Sequence, residues 1–173
     1  MRFLKRLVLF VVVVAGALWF WGTRMPREHV ATSTVTLVAP ADSVWLAVAD
    51  MGSQPGWWKD MKSAKRLKDR PGEVWEEDMG PGGVLRIQVK RDAASRTITQ
   101  TILDEDGQGW GGVWTVKVRS NGSSTEVSLT EEGYVDPAIF RVMMKVRGPH
   151  TTLDSYLKAL GAKFGETVTP KRS

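Results

Sequence analysis

The chain has 173 residues, no cysteine, two histidines and a formal net charge of +5. The missing cysteines exclude disulfides, thiolate nucleophiles and cysteine-ligated metals, and a zinc site would need carboxylates to join His29 and His150, which stand far apart in sequence. The charge excludes a nucleic-acid binder as well: Arg2, Lys5 and Arg6 lie ahead of residue 23 with no acid among them, which leaves 21 basic against 19 acidic residues in the remainder, without a concentrated basic footprint.

Leu7 to Gly22 (LVLFVVVVAGALWFWG) is an uninterrupted apolar run. Its sixteen residues span roughly 24 Å as a helix, a little short of the ~30 Å hydrocarbon core. Phe3 and Leu4 extend the apolar length, and Lys5 and Arg6 can snorkel to the headgroups. Trp19, Phe20 and Trp21 cluster at the far end, where indoles favour the membrane interface. Residues 1–24 therefore read as a membrane anchor, and the slight positive-inside bias places the N-terminus in the cytoplasm. The competing reading is a signal peptide cleaved after Ala17 in Ala15-Gly16-Ala17. Both readings put the following domain on the extracytoplasmic side, anchored in the first and exported in the second.

Met25 to His29 is a short polar linker that would hold the domain close to the bilayer. Val30–Val38 is rich in β-branched residues and predicts a strand. Ala39-Pro40 ends it and opens a helix over Ala41–Asp50, with Val44, Trp45 and Val48 at helical spacing. Gly52, Pro55 and Gly56 then turn the chain before Trp57-Trp58. Short strands follow over Met61–Lys68, Glu73–Met79, Val84–Arg91, Arg96–Leu103, Trp110–Arg119 and Glu126–Val135, separated by turn signals. Val84–Arg91 alternates cleanly, with Leu85, Ile87 and Val89 on one face. Asn121-Gly122 is the strongest hairpin signal. The one basic cluster, Lys59 to Arg70, is broken by Asp60 and Asp69 and reads as a solvated, membrane-facing or edge-strand face. Ala138–Val146 and Thr151–Gly165 are helical, the second with a stripe of Leu153, Tyr156, Leu157, Leu160 and Phe164. Gly148-Pro149 makes them one kinked helix or two collinear pieces, and residues 167–173 are a polar tail.

Strands joined by short hairpins are antiparallel. A sheet of about seven strands has one apolar face to cover, and the C-terminal helix is the only element long enough to cover it. The predicted fold is therefore α+β: a curved antiparallel sheet wrapped around a long C-terminal helix, preceded by one transmembrane helix. Sheet twist pulls the strands away from the helix axis and leaves a gap, the expected site.

This order, with Val35-Thr36-Leu37-Val38-Ala39-Pro40-Ala41-Asp42-Ser43-Val44-Trp45 entering the first helix and then Asp50 and Trp57-Trp58, resembles the START/Bet v 1-like (SRPBCC) superfamily. More narrowly, it is similar to the bacterial polyketide cyclase/dehydrase-like proteins, over residues 30–166. The resemblance implies a helix-grip domain with a deep apolar cavity for lipids, sterols, polyketides or other hydrophobic small molecules. Most members are binders or carriers and some are cyclases or hydrolases, with no shared catalytic set to transfer. The anchor departs from the usual soluble members and favours a membrane-derived ligand.

The ligand-lining candidates are Trp45, Trp58, Trp75, Trp110, Trp114, Ile139, Met143 and Tyr156. Trp57-Trp58 reads as a cavity gate or as core packing with a helix-end cap. Trp75, Trp110 and Trp114 fall on strands and point to core or ligand, and Met143 and Met144 offer adaptable apolar surface or ordinary packing. Glu77, with one of Glu131 or Glu132, can face inward; a buried carboxyl there has a raised pKa and suits acid–base chemistry. His150, at the helix break, is the other polar candidate. Gly107–Gly112 matches GxGxxG, but a strand pattern follows where a dinucleotide site needs a helix. Asp104, Asp106 and Gly109 begin an EF-hand pattern that lacks its closing Glu. No cofactor or metal is expected. The readings that remain are a carrier for a hydrophobic small molecule or lipid, a cyclase/dehydratase-type enzyme using Glu77 or His150, and an interaction protein held at a membrane.

Overall fold

The computed structural model describes residues 2–105 and 107–173, with only the backbone of Arg2; Met1 and Asp106 lie outside the described residues. The apolar run forms helix α1 (Arg2–Thr23). Phe3–Thr23 is long and apolar enough to cross a membrane by length and composition, a test that a signal sequence also passes. Strand β1 (Glu28–Leu37) follows. It starts ahead of the β-branched run because its ladder with β7 continues through Glu28 opposite Tyr134 and His29 opposite Gly133. The last two residues of the polar linker, Glu28 and His29, are thus sheet.

Helix α2 (Ala41–Ala49) opens at Pro40, whose φ of −60° is already suited to a helix start. A 3₁₀ segment at Met51–Gly56 absorbs Gly52, Pro55 and Gly56. Then come β2 (Ser63–Leu67), β3 (Val74–Asp78), β4 (Val84–Asp92), β5 (Thr97–Ile102), β6 (Trp110–Asn121) and β7 (Ser124–Val135). The β6–β7 hairpin turns through Gly122-Ser123, with Asn121 opposite Ser124 and positive φ at Gly122. A glycine at the first turn position supplies the backbone twist that matches the strands. Helices α3 (Ala138–Arg147) and α4 (Thr151–Lys163) are separate. Gly148, at φ +87°, and Pro149, which has no N–H to donate, end the first before the second begins.

The sheet is antiparallel throughout, in the order β2-β3-β4-β5-β6-β7-β1-β8. It has eight strands instead of the expected seven or so. The addition is β8 (Lys171–Arg172), in the predicted polar tail. It pairs with Thr34 and Ser33 of β1, and Ser173 exchanges backbone hydrogen bonds with Thr32 at 2.9 and 3.0 Å. Two residues carry no periodicity, so the pattern held no sign of a strand there; β1's open edge and a side-chain clasp described below supply the reason.

The concave face is covered mainly by α4. Leu153, Tyr156, Leu157 and Leu160 are all buried, against Ala31, Val35 and Leu37 of β1, Val127 and Leu129 of β7, and Val116 and Val118 of β6. Val44 and Val48 of α2 close the far end. Each such side chain contributes about 1.5–3 kcal/mol on burial. This is the helix-grip arrangement.

Candidate functional site

The core does not extend to the other end of the sheet. Alternation sends Glu77, Leu85, Ile87, Gln100, Ile102, Trp110, Trp114 and Glu131 to the same concave face, and the registers align them: Glu77 opposite Leu85, Ile87 opposite Ile102, Gln100 opposite Trp114, Trp114 opposite Glu131. With Trp58 and Thr152 above, they enclose a cavity of about 160 Å³. A second hollow of about 380 Å³ shares Ile102, Trp110, Glu131 and Thr152 with the first, and opens between β6–β7 and the α3 residues Phe140, Met143, Met144 and Arg147. The shared walls make them one apolar chamber with its mouth beneath α3.

Two inward-facing glycines allow close packing beside that room. A Cβ on Gly133 would stand 2.4 Å from the His29 ring, and one on Gly112 would stand 2.6 Å from the Glu132 carbonyl oxygen. His29 therefore lies flat over Gly133, its Nε2 3.4 Å from Glu131 Oε1 and its Nδ1 buried without a partner.

Glu77 is the most unusual group. It is 5% exposed and its Oε1 has no hydrogen-bond partner. Burial pushes its carboxyl up to about 7 from an ordinary 4.5, so at neutral pH it can both give and take a proton. Nearby, the Tyr156 hydroxyl is also buried without a partner; burial raises its pKa, and the charge of Glu77 raises it further. Tyr156 meets Trp57 and Trp58 edge-on, at centroid distances of 5.3 and 5.1 Å, and Trp114 at 6.3 Å. Trp58 and Trp114 line the cavity, and through Tyr156 behind them they join it to the core.

The structure brings Trp58, Trp110, Trp114, Met143 and Glu77 to the chamber. Tyr156 stands one layer behind it. Trp45 is half-buried against the core and Ile139 faces outward on α3. Trp75 lies under the 3₁₀ turn, beside Gly52, with its Nε1 donating to Glu73 Oε1 at 2.7 Å.

His150 belongs to a different cluster, where its Nδ1 stands 3.3 Å from Ser33 Oγ. Ser33 donates to Asp154 Oδ1 at 2.7 Å, and Arg172 donates to Asp154 Oδ2 through Nε at 2.8 Å and Nη2 at 2.6 Å. Burial alone would raise the Asp154 carboxyl, but the bonds from Ser33 and Arg172 and the charges of Arg172 and His150 hold it below the ordinary range. Serine, histidine and aspartate meet here without a nucleophilic relay: the hydroxyl donates to the carboxylate directly, and no imidazole stands between them. The cluster is the clasp that fixes β8.

His29, Gln100, Ile102 and Thr152 are chamber residues that motif reading did not single out. His29, Ala31, Ser33, Val35 and Leu37, every second residue of β1, face inward, and that alternation was the available signal for His29. Among the described residues no group of three or more histidines and carboxylates is placed to hold a metal.

The same architecture recurs in solved structures. The Zhui aromatase/cyclase from Streptomyces sp. R1128 superposes with a TM-score of 0.65 at 18% identity, covering 77% of this chain and 91% of that one. A START superfamily protein from Mycobacterium smegmatis gives 0.63 at 22% identity, covering 78% and 96%. Norcoclaurine synthase from Thalictrum flavum, as a point mutant with a transition-state analogue, gives 0.63 at 15% identity, covering 79% and 93%. At these identities the likeness is one of fold. No curated protein matches the sequence. A family-level match covers residues 28–163, from the first residue of β1 to the last of α4, and by that match, with the helix-grip chamber just described, the chain belongs to the polyketide cyclase / dehydrase and lipid transport family.

Proposed function

We propose that this protein is a membrane-anchored carrier that takes a hydrophobic small molecule or lipid into the chamber between sheet and C-terminal helices. The observation that carries this reading is the chamber itself: tryptophan and aliphatic walls, a few polar groups, and an opening beneath α3. The family's description, which includes lipid transport, supports it. Helix α1 would hold the domain to the bilayer, on the extracytoplasmic side by the sequence's charge bias; intact mass of the mature chain separates an uncleaved anchor from cleavage after Ala17.

The test is native mass spectrometry of the full chain from its own host, with extraction of whatever small molecule it carries. A stoichiometric apolar adduct, absent from a folded Ile102→Glu variant, supports the carrier. An empty protein that also fails to take up the apolar dye N-phenyl-1-naphthylamine sinks it.

A second reading rests on Glu77. An unpartnered carboxyl with a pKa near 7 inside an apolar chamber is suited to acid–base work on a bound substrate, in the manner of a cyclase or dehydratase. Turnover of an extracted ligand that is lost in Glu77→Gln while binding persists would favour this reading over simple carriage.

A further inference from the structure

Helix α3 has two apolar faces and only one of them is covered. Ala138 and Val142 are buried, whereas Ile139, Met143 and Val146 are exposed, the last two by 59% and 77%. Positions 139, 143 and 146 fall on one stripe of a helix, with Phe140 exposed beside it.

The buried side of α3 shows what lies next to it. Along α1, Leu18 and Gly22 are the positions drawn in from solvent, and Met25 continues the same stripe beyond the helix. Gly22 lies so close to α3 that a Cβ there would stand 2.1 Å from the Ala138 carbonyl oxygen. Arg141 fastens the joint, donating from Nη1 to the Met25 carbonyl at 2.8 Å and from Nη2 to the Asp136 carbonyl at 3.0 Å. Arg27 donates from Nε to Asp136 Oδ1 at 2.7 Å. The end of the apolar helix and the start of α3 are thus bolted together.

That end of α1 is the one marked for the membrane surface. Trp19, Phe20 and Trp21 are all exposed there, as in an interfacial aromatic belt, and the Arg24 guanidinium lies 4.9 Å over the Phe20 ring. The last turn of α3 carries Lys145 and Arg147, both exposed, and α3 contains no acidic residue. An apolar stripe with basic flanks is the chemistry of a helix lying in an anionic lipid interface. Phe140, Met143 and Arg147 also rim the chamber's mouth.

The geometry points to α3 as an interfacial helix: its exposed stripe of Ile139, Met143 and Val146 sits among the headgroups of the leaflet that α1 enters, so that the chamber opens onto lipid and not onto water. The occupant of this face is an anionic bilayer. The inference rests on the anchored reading of α1, and its test separates the two.

The chain has no cysteine, so single-cysteine variants carry one probe each. The environment-sensitive fluorophore NBD is placed at Phe10, Met143, Val146 or Leu46, the last an exposed apolar residue on α2. The full chain is reconstituted into vesicles of phosphatidylcholine and phosphatidylglycerol containing spin-labelled lipid. Probes at Phe10, Met143 and Val146 are expected to be quenched several-fold more than the probe at Leu46, with 143 and 146 responding most to the spin label nearest the headgroup. Quenching at Phe10 with 143 and 146 no different from Leu46 overturns the inference and leaves the anchor standing. No quenching at Phe10 overturns both.

Discussion

The two ends of strands β6 and β7 are built from the same backbone and do different things. At the hairpin end the inward residues are Val116, Val118, Val127 and Leu129, all buried under α2 and α4. At the other end they are Trp110, Gly112, Trp114, Glu131 and Gly133, of which Trp110, Trp114 and Glu131 line the chamber that α3 roofs. β-branched and leucine side chains of similar size fill space between two layers. Large rings and a carboxylate do not, because Trp110, Trp114 and Glu131 line a space that no side chain from the helices fills. A cavity in this fold thus arises from the inward sequence of two strands together with a break in the helix above them.

The difference should show most strongly in stability. Leu157→Ala, at the packed end, is expected to cost about 2–5 kcal/mol of unfolding free energy, seen as a fall in denaturation midpoint; an effect below 1 kcal/mol would mean that this end is as loosely filled as the other. Glu77→Gln, at the chamber end, should act in the opposite direction. The Glu77 carboxyl has a folded-state pKa of about 7 against an ordinary 4.5, so the stability it permits is complete below pH 4.5 and is lost as pH rises to 7. Replacing it should leave stability unchanged at pH 4 and raise it at pH 8 by about 3 kcal/mol. Equal midpoints for the two proteins at pH 8 would show that Glu77 is solvated or paired.

Arg172→Ala loosens the β8 clasp and should cost about 1 kcal/mol, because Arg172 is largely exposed even though Asp154 is not. Asp154 has a lowered folded-state pKa, so this contribution is present above the ordinary carboxylate range and fades as pH falls through it; variant and parent should converge in acid. The smallest stability change is expected at the chamber's rim. Met143→Glu should lie within about 0.5 kcal/mol of the parent, yet slow the transfer of N-phenyl-1-naphthylamine from vesicles to protein. Unchanged transfer would place the entrance elsewhere.

The sequence carried the elements well because local rules set them. The alternation of Leu85, Ile87 and Val89 specified β4, Asn121-Gly122 located the hairpin to within one residue of its Gly122-Ser123 turn, and the Leu153-Tyr156-Leu157-Leu160 stripe marked the buried face of α4. The chamber was legible only in part. Trp110 and Trp114 could be set on the concave face by alternation, but whether Trp75 meets ligand or lies beneath a turn depends on where residues 51–56 fold back, which no local pattern fixes. His150 read as a cavity group because it borders the helix break, yet a serine 117 residues away holds it. His29 read as linker, and its place over Gly133 arises from pairing with a strand about a hundred residues later. Contacts of this range depend on register, and register is a property of the assembled sheet.

The break at Gly148-Pro149 has a kinetic consequence. Helix α4 is held by four large buried side chains, whereas α3 buries only Ala138 and Val142. With no continuous hydrogen-bond ladder between them, α3 can detach while α4 stays in the core, so its amide protons should exchange through a local opening well below the global unfolding energy. Any guest beneath α3 then leaves at the rate of that opening. Its residence time then follows the local stability of α3, and a more stable core would do nothing to lengthen it.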